Sequence, residues 1–257
     1  MCPILNSNMA KLLRVRDKLL LGLAILGEVF EEVKGGAGIA ASAYENMYGF
    51  VPSKYKKSNY YATVNRMLSS ELIEKVIKNG EPKFRLSSTG SKKLVRDFPL
   101  IKLQNKRWDK RWRILIFDIP EKIRWKRDVF RDKLKTLGFG MVQQSVWVSP
   151  HPFEDDVRDF IEAHNLDSFA YLFISEAGFV GDLEEFVENV WKIEELNEKY
   201  WRLTKDFSER SKRGSDFTEV YFNLLLKDPF LPRELLPDPW YADEARLLIK
   251  NMARSNV

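Results

Sequence analysis

The sequence predicts an α+β protein built from an N-terminal winged helix-turn-helix, a central ferredoxin-like βαββαβ domain and a C-terminal helical region. Three observations lead there. In the N-terminal part, three helical patterns precede two short strands separated by Asn-Gly. In the central part, strand and helix patterns alternate. The C-terminal part has helical patterns throughout. The predicted boundaries are 1–88 for the winged helix, 89–110 for a basic linker or helix, 111–180 for the central domain and 181–257 for the helical region.

The N-terminal third has the element order of a winged helix. Apolar residues predict helices at 9–33, 39–48 and 59–70, and alternation predicts strands at 72–77 and 83–86 around Asn79-Gly80. A stop at Gly35–Gly38 ends the first helix. Gly36-x-Gly38 has no strand before it, so it is interpreted as a helix-breaking turn rather than a phosphate-binding loop.

Charge is distributed unevenly along the chain. Residues 51–110 hold 15 Lys/Arg against 5 Asp/Glu, whereas residues 136–257 hold 13 against 23. A local excess of positive charge this large favours a polyanionic partner, most simply nucleic acid. A solvated basic face without a partner is the alternative.

The predicted third helix is the candidate DNA-reading element. Ser58 stands where an N-cap is expected, and recognition helices read base edges with short polar or basic residues near their N-terminus while nearby cations hold phosphates. The strand pair after it would act as a wing. The predicted DNA-binding residues are Lys54, Lys56, Lys57, Ser58, Asn59, Thr63, Arg66, Lys78, Lys83 and Arg85. An ordinary charged surface helix is the alternative.

The middle of the chain alternates between strand and helix patterns. Strands are predicted at 112–118, within 139–149 and at 168–175, with helices at 122–137 and 153–164, which is the βαββαβ order. The helix after the first strand carries a basic row on one side: Arg124, Arg127, Arg131 and Lys135. This row is interpreted either as a surface that contacts DNA or a partner protein, or as a solvated rim without a partner. Trp112, Trp125 and Trp147 are interpreted as packing or dimer contacts. Helices at 182–209, 215–226 and 241–252 complete the chain.

Two segments resemble the PaaX family of transcriptional repressors. The first is WRILIFDIPEKIRWKRDVFRDKLKTLGFGMVQQSVWVSP, residues 112–150; its counterpart in that family is similar in fold to the small nuclease subunit of CRISPR spacer acquisition. The second comprises WKIEELNEKYWRL, residues 191–203, and DPFLPRELLPDPW, residues 228–240, which look like the family's C-terminal region with its D-P-x-L-P-x-x-L-L-P pattern. The N-terminal third matches in organisation more than in residues.

The resemblance implies a repressor that binds double-stranded DNA as a homodimer through its central domain. It also implies release by a small-molecule, acyl-CoA-like effector, although no residue identifies a coenzyme A pocket. The VPSKYKKSNYY entry to the reading helix departs from the family, which leaves operator and effector open. A ferredoxin-like module that binds RNA or a protein is a third hypothesis.

Asp118 carries the competing hypothesis of a Mg²⁺-dependent nuclease. The related nuclease subunit has an aspartate at the end of its first strand and pairs it with its copy across a dimer. Against this, Asp118-Ile119-Pro120-Glu121 fits a capping box, so the cap is the favoured interpretation. His151 and His164 lack metal-ligand spacing and are interpreted as a loop and a helix-end residue. No cofactor or metal is predicted.

The compartment follows from two features of composition. Cys2 is the single cysteine, so no intrachain disulfide can form, and a reducing compartment such as the cytoplasm is expected. No apolar run approaches the roughly 20 residues that a membrane helix needs. No membrane partner is therefore predicted.

Overall fold

A computed structural model describes residues 15–26, 28–30, 57–78, 81–103, 106–176, 178, 181–209 and 214–255. It is a mixed α+β structure with two small sheets in the described residues. The chain divides into two compact units. The first comprises Met1–Leu94, Ser211–Phe222 and Arg246–Val257, and the second comprises Val95–Arg210 and Asn223–Ala245.

The first unit contains a three-stranded antiparallel sheet and two described N-terminal helices. The elements are α1 (Val15–Leu26), β1 (Glu28–Phe30), α2 (Lys57–Ser69), β2 (Ile73–Lys78) and β3 (Glu81–Leu86), with strand order β1-β3-β2. The predicted helix at 39–48 and the Asn79-Gly80 turn lie outside the described residues.

One boundary in this unit was wrong. The helix predicted for 9–33 ends at Leu26 in the described part, and Glu28–Phe30 instead forms β1, paired with β3 from Glu28↔Arg85 to Phe30↔Lys83. Apolar Val29 and Phe30 continue the helical spacing, but such residues also suit a strand. The pairing partner lies more than 50 residues away, so no local pattern announces it.

The core of this unit lies where α1 and α2 meet the sheet. Leu20 and Leu23 of α1, Val64 and Met67 of α2 and Phe84 of β3 are all buried. Val64 and Met67 are three residues apart and therefore share one helix face. Burying each of these side chains contributes on the order of 1.5–3 kcal/mol, so hydrophobic packing is what fixes α2 to the hairpin β2–β3.

Helix α3 (Ser88–Asp97) begins against the backbone of the residue that precedes β2. The Ser87 hydroxyl accepts a hydrogen bond from the Gly90 amide at 2.9 Å and itself donates to the Glu71 carbonyl. The Ser87 amide donates to the Leu72 carbonyl. These bonds satisfy amides at the helix N-terminus, as a cap must. A short 3₁₀ turn, Pro99–Leu103, follows at the predicted proline break.

The second unit holds the βαββαβ element order that the sequence predicts. Its elements are β4 (Arg111–Phe117), α4 (Arg124–Thr136), β5 (Gly140–Gln143), β6 (Val146–Ser149), α5 (Glu154–Ala163) and β7 (Ala170–Glu176). The sheet is antiparallel with order β5-β6-β4-β7. The first and third strands are therefore neighbours in the middle, and the second and fourth are the edges.

One face of this sheet is covered by α4 and α5. Leu115 and Phe117 of β4 point to that face and join a buried cluster with Phe130 and Leu134 of α4 and Val157 of α5. The Phe117 and Phe130 rings lie 5.4 Å apart between centroids. Because side chains alternate along a strand, the even-numbered residues of β4 belong to the opposite face.

The C-terminal helices are α6 (Leu183–Trp191), α7 (Ile193–Glu209), α8 (Gly214–Leu225) and α9 (Tyr241–Ser255). The single helix predicted for 182–209 was wrong, because Lys192 has φ 57° and breaks it in two. Asp182 caps α6, accepting from the Glu185 amide at 3.0 Å. Among the described helices, none combines the length and the apolar content needed to cross a bilayer.

Candidate nucleic-acid interface and central domain

The candidate reading helix is α2. It begins at Lys57, so Ser58 lies inside its first turn and not at the predicted N-cap position. Thr63 and Arg66 lie one turn apart, and Arg66 is exposed. Its guanidinium folds back along the helix, donating from Nε to the Ala62 carbonyl at 3.0 Å and from Nη2 to the Thr63 hydroxyl at 3.4 Å. Lys54 and Lys56 lie outside the described residues, and the side chains of Lys57, Ser58 and Asn59 are not described.

The candidate wing is the hairpin β2–β3. Arg85 is exposed and its Nε donates to the Glu74 carboxylate at 2.6 Å across the strand pair. Lys83 is only 8% exposed, opposite Val76 on one side and Phe30 on the other. Lys78 forms the last described pair with Glu81. The hairpin therefore presents Arg85 to solvent and withdraws Lys83 from it.

Asp118 does not cap a helix. A 3₁₀ turn, Glu121–Ile123, starts after Pro120, and α4 starts after Ile123; neither boundary has a side-chain cap. The capping-box interpretation was therefore wrong. The Glu121 carboxylate instead accepts a hydrogen bond from Arg127. This bond and the nearby charge of Arg124 lower the pKa of Glu121 below its ordinary value. Asp118 is exposed, and its amide donates to the Phe169 carbonyl at 2.8 Å.

Metal ligands would have to cluster for the nuclease hypothesis to hold within one chain. Over the part of the chain that the structure describes, no group of three or more His, Cys, Asp or Glu residues is placed to hold a metal ion. The nuclease subunit invoked for comparison assembles its carboxylates from two copies, so Asp118 alone in one chain would be insufficient.

The predicted basic row on α4 is largely engaged within the chain. Arg127 pairs with Glu121 at 2.6 Å, Arg124 lies 3.7 Å from Asp128, and Arg131 donates to the Gln144 carbonyl at 2.9 Å. Exposed pairs of this kind contribute little to stability, roughly 0–1 kcal/mol each. They do reduce the net positive field of this helix, which favours the interpretation of a solvated rim.

Sequence patterns gave no sign of a buried charge network around Arg113. This side chain is 2% exposed, on the helix-covered face of the sheet. It donates to both Asp109 oxygens at 2.9 and 2.5 Å, to Glu154 at 2.7 and 2.5 Å, and to the Pro150 carbonyl at 3.2 Å. Burial opposes its charge, but the bonds to both carboxylates outweigh burial and raise the pKa of Arg113.

His151 lies beside this network and ties the loop after β6 to the C-terminal connector. Its Nε2 lies 2.8 Å from the Pro229 carbonyl oxygen. Burial lowers the pKa of His151 to about 4, although the bond to Pro229 acts in the opposite direction. The ring is therefore neutral at physiological pH, and its Nε2 donates to the carbonyl. His151 is a loop residue as predicted, but a buried one; His164 is the C-cap of α5.

The second face of the central sheet is only half covered. Helix α6 covers β5, where a Cβ on Gly140 would lie 2.1 Å from Val190 Cγ1, and the start of β4, where Trp191 stacks on Trp112 at 6.2 Å. Farther along the β4–β7 pair this face is open. Ile116 is 41% exposed, and its cross-strand neighbour Tyr171 is 56% exposed. Phe173, 54% exposed, lies opposite the half-buried Ile114.

These residues, Ile114, Ile116, Tyr171 and Phe173, are termed the open sheet face. Each is a direct cross-strand neighbour of another, so together they form a continuous apolar surface and not scattered exposure. Contiguous apolar surface on a folded protein is typical of an interaction site. The sequence predicted a strand at 168–175, but not which of its faces would stay open.

The second unit also contains a cavity of about 920 Å³ between α6 and the proline-rich connector. Apolar residues line it together with six acidic residues: Asp182, Glu184, Glu188, Glu194, Glu234 and Asp238. No lysine or arginine is among its lining residues. Like charges repel most strongly where water is partly excluded, so this cavity disfavours an anionic ligand.

The structure is therefore a two-unit α+β protein whose second unit holds a βαββαβ domain with antiparallel strand order β5-β6-β4-β7. The family comparison agrees for the central part: residues 105–187 match the PaaX protein central Cas2-like domain. The resemblance seen in the sequence is thus confirmed for the central segment, residues 112–150.

One solved structure extends the likeness along the chain. It is an uncharacterised protein, Rv0674, from Mycobacterium tuberculosis, with a TM-score of 0.56 and 20% sequence identity. The alignment covers 92% of this chain and 94% of that one. At this identity the likeness concerns the fold alone. No curated protein matches the chain.

Proposed function

We propose that this protein is a transcriptional regulator that binds double-stranded DNA. The observation that carries the proposal is the PaaX central domain at residues 105–187, since that family is one of transcriptional repressors. The protein would be non-enzymatic and would repress by occluding a promoter. Its DNA-reading part would be the N-terminal domain, residues 1–88.

The helix–hairpin geometry supports a winged helix in that domain. A helix, a short strand, α2 and then an antiparallel hairpin follow in order, and β1 pairs with β3. In a helix-turn-helix protein the second helix of the motif enters the major groove, and α2 has the matching place before the hairpin. Of the predicted contact residues, Arg66 and Arg85 are described and exposed, and we leave Lys83 out of the contact surface because it is buried.

The first prediction concerns the cations of this surface. Lys56→Ala combined with Arg66→Ala should weaken binding to a selected duplex at least tenfold. It should also reduce the slope of log affinity against log salt by about two, because each phosphate contact contributes about 0.9 to that slope. The measurement is fluorescence anisotropy at several salt concentrations. Arg158→Ala, an exposed arginine of the central domain paired to Asp155 at 2.8 Å, is the matched control.

The duplex for this measurement is obtained by selection from random sequences. Enrichment of a palindrome with a fixed half-site spacing would support a dimer, because operator symmetry mirrors protein symmetry. No enrichment would contradict sequence-specific regulation. Duplex cleavage in the presence of Mg²⁺, lost in Asp118→Asn but kept in the control Asp132→Asn, would replace the proposal with the nuclease hypothesis.

We further infer that the protein acts as a homodimer joined through the open sheet face. A two-fold interface places the same patch on both partners. Ile114, Ile116, Tyr171 and Phe173 carry no charge, so two copies of this face meet without like-charge repulsion. A promoter-occluding dimer would set the distance between its two reading helices through this contact.

The second prediction tests this contact. Tyr171→Glu combined with Phe173→Glu should weaken self-association at least a hundredfold, because four carboxylates would be buried in a symmetric interface. Sedimentation should then give the monomer mass of 30.1 kDa, against twice that for the unaltered protein. Trp125→Glu, which charges an exposed apolar residue of α4, is the control and should leave the dimer intact. A dimer that survives the double change would exclude this face.

Release by a small-molecule effector is the remaining part of the proposal. An acyl-CoA-like effector would carry several negative charges. The acidic cavity between α6 and the connector is therefore a poor receptor for it, and such an effector would bind elsewhere. Addition of an acyl-CoA to the DNA complex in the anisotropy measurement tests this part; unchanged affinity would remove this effector class.

A further inference from the structure

The loop that leads into β4 carries a dense group of basic side chains. Residues 89–110, predicted as a basic linker or helix, hold seven of the 15 Lys/Arg of residues 51–110, against two Asp. Residues 106–111 are termed the basic loop, and four of these six residues are exposed cations: Lys106, Arg107, Lys110 and Arg111. Within the described residues, none of these four side chains forms an ion pair or a hydrogen bond.

The carboxylate of the basic loop, Asp109, is already engaged with the central domain. It accepts hydrogen bonds from Arg113 at 2.9 and 2.5 Å and from the Arg111 amide at 3.0 Å. Burial opposes its charge, but these bonds and the charges of the two arginines hold the pKa of Asp109 below its ordinary value. Asp109 is therefore ionised, and it spends its hydrogen bonds on Arg113 and the backbone instead of on a loop side chain.

The backbone of the basic loop is held by contacts with β4. The Arg111 carbonyl accepts hydrogen bonds from Trp108 Nε1 at 3.2 Å and from Arg113 Nη1 at 3.1 Å. The Trp108 ring lies edge to face with Trp112, with 5.2 Å between centroids, and Lys110 has φ 55°. A fixed loop loses less conformational entropy on binding than a flexible one. The four cations are thus presented on a pre-ordered backbone.

The carboxylates around the basic loop do not cancel its charge. Arg113 is shared by Asp109 and Glu154, so this network carries one net negative charge and leaves three of the four loop charges uncompensated. Glu176 lies opposite Arg111 in the β4–β7 register, and counting it in full leaves two. A concentrated positive field of this kind attracts polyanions.

The composition of the basic loop favours a duplex over a single strand. Its six residues span at most about 17 Å. Duplex DNA carries one negative charge per about 1.7 Å of axis, so about ten phosphates would lie along that length. Proteins that bind single strands stack the bases on aromatic rings. Trp112 is buried and Trp108 is half-buried and fixed against it, so the loop exposes cations and no stacking platform.

We propose that the basic loop binds the sugar–phosphate backbone of duplex DNA, as a sequence-independent contact of the second unit. Lysine and arginine hold phosphates, and such contacts contribute affinity without reading bases. The proposal deepens the proposed function and rests on it, because it adds a second DNA-binding surface to that of the N-terminal domain. This surface would raise affinity for every duplex equally.

The experiment neutralises the basic loop and measures binding to two duplexes of equal length, the selected one and a random one. The loop variant combines four changes: Lys106→Gln, Arg107→Gln, Lys110→Gln and Arg111→Gln. It should bind both duplexes at least tenfold more weakly and lower the slope of log affinity against log salt by about two or more, because each phosphate contact contributes about 0.9. The ratio of the two affinities should not change, since phosphate contacts carry no sequence information.

A control variant removes the same charge from other exposed positions of the second unit. It combines Lys122→Gln, Arg158→Gln, Lys192→Gln and Lys227→Gln. Because both variants lose four positive charges, any effect of net charge alone is matched. The control should bind both duplexes as the unaltered protein does. Urea unfolding of the loop variant should match the unaltered protein, because the replaced side chains are exposed and unpaired.

The outcomes distinguish this proposal from the proposed function. If the unaltered protein binds no duplex, both fail. If it binds and the loop variant keeps its affinity and salt slope, only the basic-loop contact is wrong. Equal weakening in the control variant would mean that net charge, and not the loop, is responsible. A loss confined to the selected duplex would overturn the sequence-independent role, and a loss of self-association in sedimentation would assign the loop to a second copy instead.

Discussion

Replacing Arg113 with alanine is expected to lower the free energy of unfolding by about 3–5 kcal/mol, the cost of removing one partner from a buried ion-pair network. Asp109 and Glu154 would lose their shared cation, and the Pro150 carbonyl would lose a donor. Urea unfolding followed by tryptophan fluorescence measures the change. Arg158→Ala, an exposed pair in the same domain, should change the stability by less than about 0.5 kcal/mol.

A conservative substitution sharpens this result. Arg113→Lys keeps the charge but cannot make forked bonds to both carboxylates, so it should recover only part of the loss. Full recovery by lysine would show that charge alone, and not the bond geometry, stabilises the site. A loss below about 1 kcal/mol in Arg113→Ala would mean that the network costs nearly as much in desolvation as it contributes.

The second large effect is expected at Gly90, where alanine should destabilise the N-terminal unit by at least about 3 kcal/mol. A Cβ there would lie 1.8 Å from the Leu72 carbonyl oxygen and 2.8 Å from its carbon, both of them backbone atoms that cannot rotate away. Overpacking in a well-packed core costs about 1–3 kcal/mol, and a backbone clash costs more. Thermal and urea unfolding measure the change.

The destabilisation expected for Gly90→Ala is opposite in sign to the usual effect of this substitution in a helix. Gly90 lies in α3, and alanine for glycine in a helix normally stabilises by about 1 kcal/mol. Gly178 provides the control, because a Cβ there meets no atom within 4 Å. Gly178→Ala should be neutral. A stabilised Gly90→Ala would mean that α3 does not pack on the strand entry at Leu72.

Local patterns predicted the elements that make contacts with near neighbours in sequence. The hairpin β2–β3 and the order from β4 to β7 followed from alternation and turn residues, because these signals are short-range. β1 was missed, since its pairing with β3 is set by residues more than 50 positions away. The break at Lys192 was missed too, because no glycine or proline marks it and a lysine rarely adopts a positive φ.

The candidate site was less predictable than the fold. Asp118 was predicted to cap a helix because Asp-Ile-Pro-Glu resembles a capping box. A 3₁₀ turn begins at Glu121 instead, and no side chain caps it. The Arg113 network joins residues 41 positions apart, so no motif could contain it. Lys83 resembled a wing cation in sequence, yet its strand register buries it. Exposure depends on tertiary packing, which a charge count ignores.

The proline-rich connector DPFLPRELLPDPW, residues 228–240, is held by hydrogen bonds along its length. Asp228 bonds the Tyr200 hydroxyl and the Phe230 amide, Pro229 receives His151, and Asn197 bonds both the Pro239 carbonyl and the Tyr241 amide. Proteases cut chain segments that unfold locally, and the hydrogen bonds of the connector oppose such unfolding. The connector is therefore expected to resist proteolysis. A truncation within the connector, chosen because prolines often mark linkers, would remove the hydrogen bonds that join it to His151, Tyr200 and Asn197.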